Sequence, residues 1–261
     1  MDKKVRIGCA SAFWGDTDTA APQLVHQGEI DYLVFDYLAE VTMSILAGAK
    51  LKNENLGYAT DFIKHVGPLL GSIKEKNIKV ISNAGGINLD ACRDALLEKA
   101  KEQNIDFKIA IIEGDNIIHK QKELRSISVK EIETGDMLPE NILSVNAYLG
   151  VAGIIKALEL GADIIITGRC VDTAVVLGPL MHEFGWQDTD YDLLASGSLA
   201  GHIIECGAQC TGGNFTDWEL INSFENMGFP IVEVSSNGDF LVIKPDDTGG
   251  LINSGTLSEQ F

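Results

Sequence analysis

The stretch LGADIIITGRCVDT, Leu160–Thr173, decides the fold class of this chain. Gly161 follows a run with helical spacing, which predicts the end of a helix. Asp163–Thr167 is then an apolar, isoleucine-rich run of strand length, and helical spacing resumes over Thr173–Phe184. A helix, a buried strand and another helix joined by such short turns indicate a parallel sheet with crossover helices.

The same alternation recurs along the chain and predicts an α/β fold. The predicted parallel strands are Val5–Ala10, Tyr32–Phe35, Ile78–Ser82, Phe107–Ile112 and Asp163–Thr167. The predicted helices are Pro22–Gln27, Ala39–Ala47, Tyr58–Glu75, Asp90–Gln103, Ala147–Leu160, Thr173–Phe184 and Leu193–Cys210. We expect a mainly parallel, open sheet with helices on both faces, because a closed barrel needs more strands than these.

The pattern changes after Cys210. Ile231–Val234 and Phe240–Ile243 flank Asn237-Gly238, which predicts a small antiparallel hairpin near the C-terminus. We therefore divide the chain into an α/β core domain, 1–210, and a hairpin extension, 211–261, that begins a truncated continuation.

The expectation of truncation comes from the last residues. Thr256–Glu259 has the pattern of a capping box, which predicts a helix N-terminus close to the end of the sequence. On this interpretation Leu251, Ile252 and Leu257 lack packing partners and are poorly buried.

Composition excludes several classes of function. The 261 residues carry 38 acidic and 20 basic side chains, a formal charge of −18, which opposes binding to nucleic acid or anionic membranes. No apolar run approaches the roughly 18 residues of a spanning helix. The five cysteines fall inside predicted elements, as reduced thiols do. We expect a cytoplasmic protein with a small-molecule substrate, acting either as a homo-oligomer or with a partner subunit.

Two carboxylates follow the second predicted strand. Asp36 and Glu40 have i, i+4 spacing at the start of a predicted helix, which would put both on one helical face. When two carboxylates lie so close together, their repulsion raises the pKa of one of them, and a carboxyl group with a raised pKa suits general acid–base catalysis. The alternative is that both residues simply favour a helix N-terminus.

Polar and glycine residues follow the other strands and predict substrate binding. Arg169 offers a planar fork for a carboxylate or phosphate, and Asp172 either orients it or caps the next helix. The alternative is a purely structural Arg–Asp pair. Glycine pairs can present backbone amides to an anion, although each is also typical of a tight turn. The remaining predicted substrate-binding residues are Asn83, Gly85, Gly86 and Asn214.

A polar stripe lies on the predicted helix Leu193–Cys210. His202 is a candidate general base, and His202 with Cys206 has the i, i+4 spacing of two metal ligands. Alternatively, Cys206 is a packing thiol. No cofactor follows from the sequence with certainty, and a CoA thioester substrate or a divalent metal stays open. We expect Asp36, Asn83, Arg169 and His202 to line one cleft at the carboxyl edge of the sheet, with Glu40, Asp172 and Cys206 close behind.

Several ordered phrases carry a resemblance that extends over essentially the whole chain. They are Phe35–Glu40 (FDYLAE), Asn83–Gly86 (NAGG), Asn146–Gly150 (NAYLG), Thr167–Asp172 (TGRCVD), Ser198–Gln209 (SLAGHIIECGAQ) and Gly212–Phe215 (GGNF). The sequence resembles the acyclic terpene utilisation A family. The resemblance implies a catabolic protein of bacterial type, found with acyl-CoA enzymes that degrade citronellol- and geraniol-like terpenes. It also implies that members continue beyond this chain, and it brings no catalytic residues with it.

Two hypotheses follow. The first is an enzyme that acts on a branched organic acid or its CoA thioester by acid–base chemistry, as a lyase, hydratase or isomerase does. The second is a non-catalytic subunit that binds an acyl ligand for partner enzymes. Whether Asp36, Glu40, Arg169 and His202 lie in one pocket discriminates between them.

Overall fold

The computed structural model describes residues 3–261 as alternating strands and helices. The strands are β1 Lys4–Cys9, β2 Tyr32–Phe35, β3 Lys79–Ser82, β4 Ile109–Ile112, β5 Ile164–Thr167, β6 Ile231–Ser235 and β7 Phe240–Ile243. The helices are α1 Ala20–Gln27, α2 Glu40–Lys52, α3 Thr60–Val66, α4 Leu70–Glu75, α5 Leu89–Glu102, α6 Gln121–Ser126, α7 Ala152–Glu159, α8 Ala174–Phe184, α9 Tyr191–Glu205 and α10 Ser254–Gln260.

The described strands form one sheet in the order β4-β5-β3-β2-β1-β6-β7. The five strands from β4 to β1 run parallel, whereas β6 pairs antiparallel with β1, and β7 pairs antiparallel with β6. The predicted fold class is confirmed: a mainly parallel α/β sheet with an antiparallel strand pair near the C-terminus. The hairpin continues the central sheet, because β6 pairs along the whole of Lys4–Gly8.

Helices cover both faces of the sheet, and each face has its own buried core. Alternate residues of the strands enter the two cores: Leu33 and Phe35 of β2 face one, and Tyr32 and Val34 face the other. Helices α1 to α5 pack on the first face and α7 to α9 on the second. This arrangement follows from right-handed crossovers, because the chain moves in one direction as far as β4 and then turns back to β5.

Some predicted helix boundaries are wrong. The predicted helix Tyr58–Glu75 is two helices, interrupted by the tight turn Gly67–Leu69, because Pro68 lacks an amide hydrogen and cannot continue the ladder. Helix α7 begins at Ala152 rather than Ala147, since residues 146–149 pair with other loops instead. Helix α9 ends at Glu205, and a separate turn, Gly207–Gln209, follows it.

The final helix begins earlier than predicted. Asn253 is its N-cap, and the capping box joins Asn253 to Thr256, so the predicted start at Thr256 is wrong. Leu251, Ile252 and Leu257 are all half-buried, and Leu257 packs against the second core. Truncation of the chain stays a prediction. No helix in residues 3–261 is long and apolar enough to span a membrane.

Candidate functional site

The candidate site lies at the carboxyl edge of the sheet, where neighbouring strands send the chain to opposite faces. Strands β3 and β5 are adjacent, but β3 leads to α5 on the first face and β5 leads to α8 on the second. A crevice opens at such a point and is the usual ligand site of open α/β sheets. The loops after β2, β3, β4 and β5 bring Asp36, Asn83, Asp115 and Arg169 to it.

Asp36 is the buried carboxyl group of this crevice, with 6% of the residue exposed. Asn83 Nδ2 donates a hydrogen bond to its Oδ1 at 2.6 Å, and the backbone N–H of Tyr37 donates to Asn83 Oδ1 at 2.8 Å. Asn83 therefore orients Asp36. Burial raises the pKa of Asp36 from its usual 3.8 to about 8, and the charges of Asp172 and Glu205 add to the rise. Asp36 is thus a protonated acid near neutral pH.

Glu40 does not share a helical face with Asp36, so that part of the prediction is wrong. Helix α2 begins at Glu40 itself, and Asp36 lies before it in extended chain. The Glu40 side chain is 80% exposed at the rim of the crevice. A hydrogen bond from the Tyr148 hydroxyl lowers the pKa of Glu40. The pKa of Asp36 is raised as expected, but by burial and other carboxylates rather than by Glu40.

Three carboxylates converge in the crevice. One oxygen from each of Asp36, Asp172 and Glu205 lies within 4.8 Å of the other two. Carboxylate oxygens in this number and spacing suit a hard divalent cation such as Mg²⁺, Mn²⁺ or Ca²⁺. Among the described residues, this is the acidic group that could hold a metal. It contains neither His202 nor Cys206, the pair that the sequence suggested.

His202 contacts this group through Glu205. His202 Nδ1 lies 2.8 Å from Glu205 Oε1, and the imidazole is partly exposed. With the proton on Nδ1, Nε2 is the ring nitrogen free to accept another proton. Burial raises the pKa of Glu205, and the neighbouring His202 opposes this rise. Cys206 is the C-cap of α9 and is half-buried, and burial also raises its pKa.

Arg169 is the buried cation of the site, with only 5% of its side chain exposed. Its Nη1 donates to Asp172 Oδ1 at 2.7 Å and to the carbonyl of Cys170 at 3.2 Å. Its Nη2 donates to the Tyr148 hydroxyl at 3.0 Å, and the guanidinium lies 4.1 Å from the centre of the Tyr148 ring. In this state both terminal nitrogens of Arg169 are bonded inside the protein.

Asp115 fixes the loop that carries Arg169, although no role for it was predicted from the sequence. Its Oδ2 accepts hydrogen bonds from the backbone N–H of Arg169 and from Asn146 Nδ2, both at 2.8 Å. Gly168 is required beside it, because a Cβ there would lie 2.4 Å from the Asp115 carboxylate. The available signal was its position directly after a predicted strand. No pattern in the sequence indicated a role for Tyr148 in the site.

The predicted glycine and asparagine ligands behave differently from one another. The amides of Gly85 and Gly86 already donate to the carbonyls of Thr167 and Asn83. A Cβ at either glycine would approach neighbouring atoms to within 2.7 Å, which gives both a packing role. Asn214 is exposed in the loop before Phe215, and no described hydrogen bond joins its side chain to the cluster.

A cleft lies next to Asp115, and its lining contains none of the cluster residues Asp36, Asp172 and Glu205. It has a volume of about 240 Å³ and lies between the loops after β3 and β4. Asp115 lies in its wall and also accepts a hydrogen bond from the Arg169 backbone N–H, so the cleft lies beside the loop that carries Arg169. Asp36, Asn83, Arg169 and His202 do not line this cleft. Hydrogen bonds and the close carboxylates of Asp172 and Glu205 connect them into one group.

The sequence matches the family described as "Acyclic terpene utilisation family protein AtuA" over residues 5–261. No curated protein matches the sequence, and no solved structure matches it. Because the matched residues cover nearly the whole chain, this protein belongs to the acyclic terpene utilisation family AtuA.

Proposed function

We propose that this chain is a catabolic enzyme that acts on a branched organic acid or its CoA thioester by acid–base chemistry. Family membership ties it to acyclic terpene utilisation. A reaction of the lyase, hydratase or isomerase type suits a site built from carboxyl groups and a histidine. The observation that carries the proposal is the buried Asp36 carboxyl group, which lies within 4.8 Å of the Glu205 carboxylate that pairs with His202.

The two halves of the site have opposite proton roles. Asp36 holds a proton near neutral pH and donates it to the substrate as a general acid. His202, whose Nδ1 is bonded to Glu205, accepts a proton at Nε2 from the substrate or from an attacking water. Asp36 loses one proton and His202 gains one in each turnover, which balances an isomerisation or the addition of water. Proton exchange with solvent then restores the protonated Asp36 and the neutral His202.

A second candidate is metal-assisted chemistry, and one observation favours it. The convergence of Asp36, Asp172 and Glu205 within 4.8 Å provides three oxygen ligands on one side of a cation. A bound divalent cation would keep Asp36 ionised and would polarise a substrate oxygen. The two candidates therefore differ in the protonation of Asp36 and in their dependence on added metal.

The test is incubation of the protein with branched acyl compounds in deuterated water, followed by mass spectrometry. Isovaleryl-CoA, senecioyl-CoA and the corresponding free acids are the probes, each with EDTA or with Mn²⁺. Acid–base catalysis predicts deuterium uptake or addition of water with EDTA present, and loss of both in Asp36→Asn and His202→Gln. Activity that appears only with Mn²⁺ supports the second candidate.

A matched control uses Glu75→Gln, at an exposed glutamate at the end of α4, where the chain enters the amino end of β3. It removes one carboxyl group, as Asp36→Asn does, but lies at the amino end of β3, whereas the crevice loop that carries Asn83 follows the carboxyl end. The control should retain full activity. Binding of these probes without any chemical change would contradict both candidates and would indicate an acyl-binding subunit.

A further inference from the structure

Two side chains that are largely exposed, those of Glu40 and Tyr148, lie against the buried guanidinium of Arg169. Arg169 is almost fully buried, yet the side chains on its Nη2 side are exposed: Glu40 by 80% and Tyr148 by 50%. Glu40 Oε1 lies 3.9 Å from Arg169 Nη2, and the Tyr148 hydroxyl bridges the two. A buried cation is therefore closed off from solvent by two side chains that lie largely in solvent.

The opposite side of the guanidinium is fixed. Asp172 and the Cys170 carbonyl, which bind Nη1, belong to the same loop as Arg169. The backbone of this loop is held by Asp115 and by Leu149, which donates its N–H to the Arg169 carbonyl. Only the Nη2 side can be uncovered by side-chain rotation alone, because Glu40 and Tyr148 project from α2 and from the loop before α7.

We propose that the Glu40 carboxylate occupies the subsite of a substrate carboxylate on Arg169 and is displaced when an acidic ligand binds. The inference rests on the proposed function in that it names the substrate class of the same site. The incoming carboxylate accepts a hydrogen bond from the Tyr148 hydroxyl, which donates to Glu40 in this structure, and a second from Arg169 Nη2, which here donates to the Tyr148 hydroxyl and lies 3.9 Å from Glu40 Oε1.

Charge balance supports this exchange. The chain has a net charge of −18, and the crevice already holds Asp36, Asp172 and Glu205. An additional anion would be repelled there unless another leaves. When a ligand carboxylate replaces that of Glu40, the buried guanidinium keeps one neutralising partner on each side. Glu40 moves into water, where an exposed carboxylate is well solvated.

The test is calorimetric titration with isovalerate and with isovaleramide, its uncharged analogue of nearly the same shape. Glu40→Gln removes the competing carboxylate, so isovalerate should bind about three- to fivefold more tightly, while isovaleramide binding should not change. Tyr148→Phe should weaken isovalerate binding about threefold or more, because one donor is lost. Arg169→Lys should weaken it about tenfold, because the ammonium lacks the planar fork.

Glu75→Gln is the matched control for the change in net charge, and it should bind isovalerate as the unaltered protein does. Equal isovalerate affinity in Glu40→Gln and the unaltered protein would overturn the inference, as would an equal gain for isovaleramide or no isovalerate binding in any variant. Asp36→Asn distinguishes a failure of the acid–base proposal from a failure of the proposal that Arg169 binds a substrate carboxylate. If acid–base catalysis is wrong but Glu40→Gln still tightens isovalerate binding, the carboxylate subsite stands without it.

Discussion

At Asp36, burial and two neighbouring carboxylates both raise the pKa of the carboxyl group. Asn83 and Arg169 favour the ionised form, but they do not outweigh the loss of solvent and the charges of Asp172 and Glu205. Each unit of pKa shift corresponds to about 1.4 kcal/mol of preference for one protonation state. The folded chain therefore retains a proton at Asp36 that the unfolded chain releases.

This proton makes stability depend on pH. The unfolded Asp36 ionises near pH 3.8 and the folded one near pH 8, so between these values the folded state binds more protons and the free energy of unfolding falls as pH rises. Asp36→Asn should remove this part of the slope, while the contribution of Glu205, whose pKa is also raised, stays. Urea unfolding at a series of pH values measures both proteins, and identical slopes would show that Asp36 is ionised in the folded state.

At the scale of elements, the turn from β5 to α8 depends on one missing side chain. A Cβ at Gly168 would collide with the Asp115 carboxylate, which holds both the Arg169 backbone and Asn146. Gly168→Ala should lower the free energy of unfolding by about 1–3 kcal/mol through overpacking. It should also weaken isovalerate binding, because Arg169 shifts with its loop.

Gly48 in α2 supplies the matched control for this substitution. A Cβ at Gly48 meets no atom within 4 Å, so Gly48→Ala should raise the free energy of unfolding by about 0.5–1 kcal/mol through helix propensity. Urea titrations of the two variants compare the same chemical change in a crowded turn and on an open helix. A neutral Gly168→Ala would mean that Asp115 can move without cost.

The elements also show which features local sequence can predict. β2 and β7 have the predicted bounds, because apolar runs bounded by turn residues are local signals. Asp36 and Arg169 were found for the same reason, since each directly follows such a run. Asp115 and Tyr148 received no role, because their contacts join the loops after β4 and β5 across long sequence separations. The periodic pattern of apolar residues along a strand or helix does not indicate which distant loops contact each other.

At the scale of the molecule, the C-terminal hairpin shares the core of the parallel sheet. Ile231 of β6 belongs to the first core and Val232 to the second, although both follow position 210. Residues 211–261 thus contribute to both faces. We expect the whole described chain to unfold as one cooperative unit.

Two substitutions in the hairpin test this expectation. Ile231→Ala should lower the free energy of unfolding by about 2–5 kcal/mol, because Ile231 is fully buried. Leu241→Ala in β7 should have little effect, because Leu241 is 61% exposed. Far- and near-ultraviolet circular dichroism should report coincident transitions in both variants. An early, separate transition in Ile231→Ala would instead indicate that the hairpin is an independent unit.

The long connection between β4 and α7 has a consequence for how this chain can change over evolutionary time. Residues 116–150 contain no buried side chain, yet both ends of the segment are held at the crevice by Asp115 and by the pairing of Leu149 with Cys170. Selection for folding therefore acts on this segment through its attachment points and through a few internal hydrogen bonds, such as those from Arg125 to the carbonyls of Leu138 and Glu140. The residues between Asn116 and Val145 can therefore vary in number and composition at little cost to the core. Their sequence is set by the molecules that contact this segment rather than by packing inside the protein.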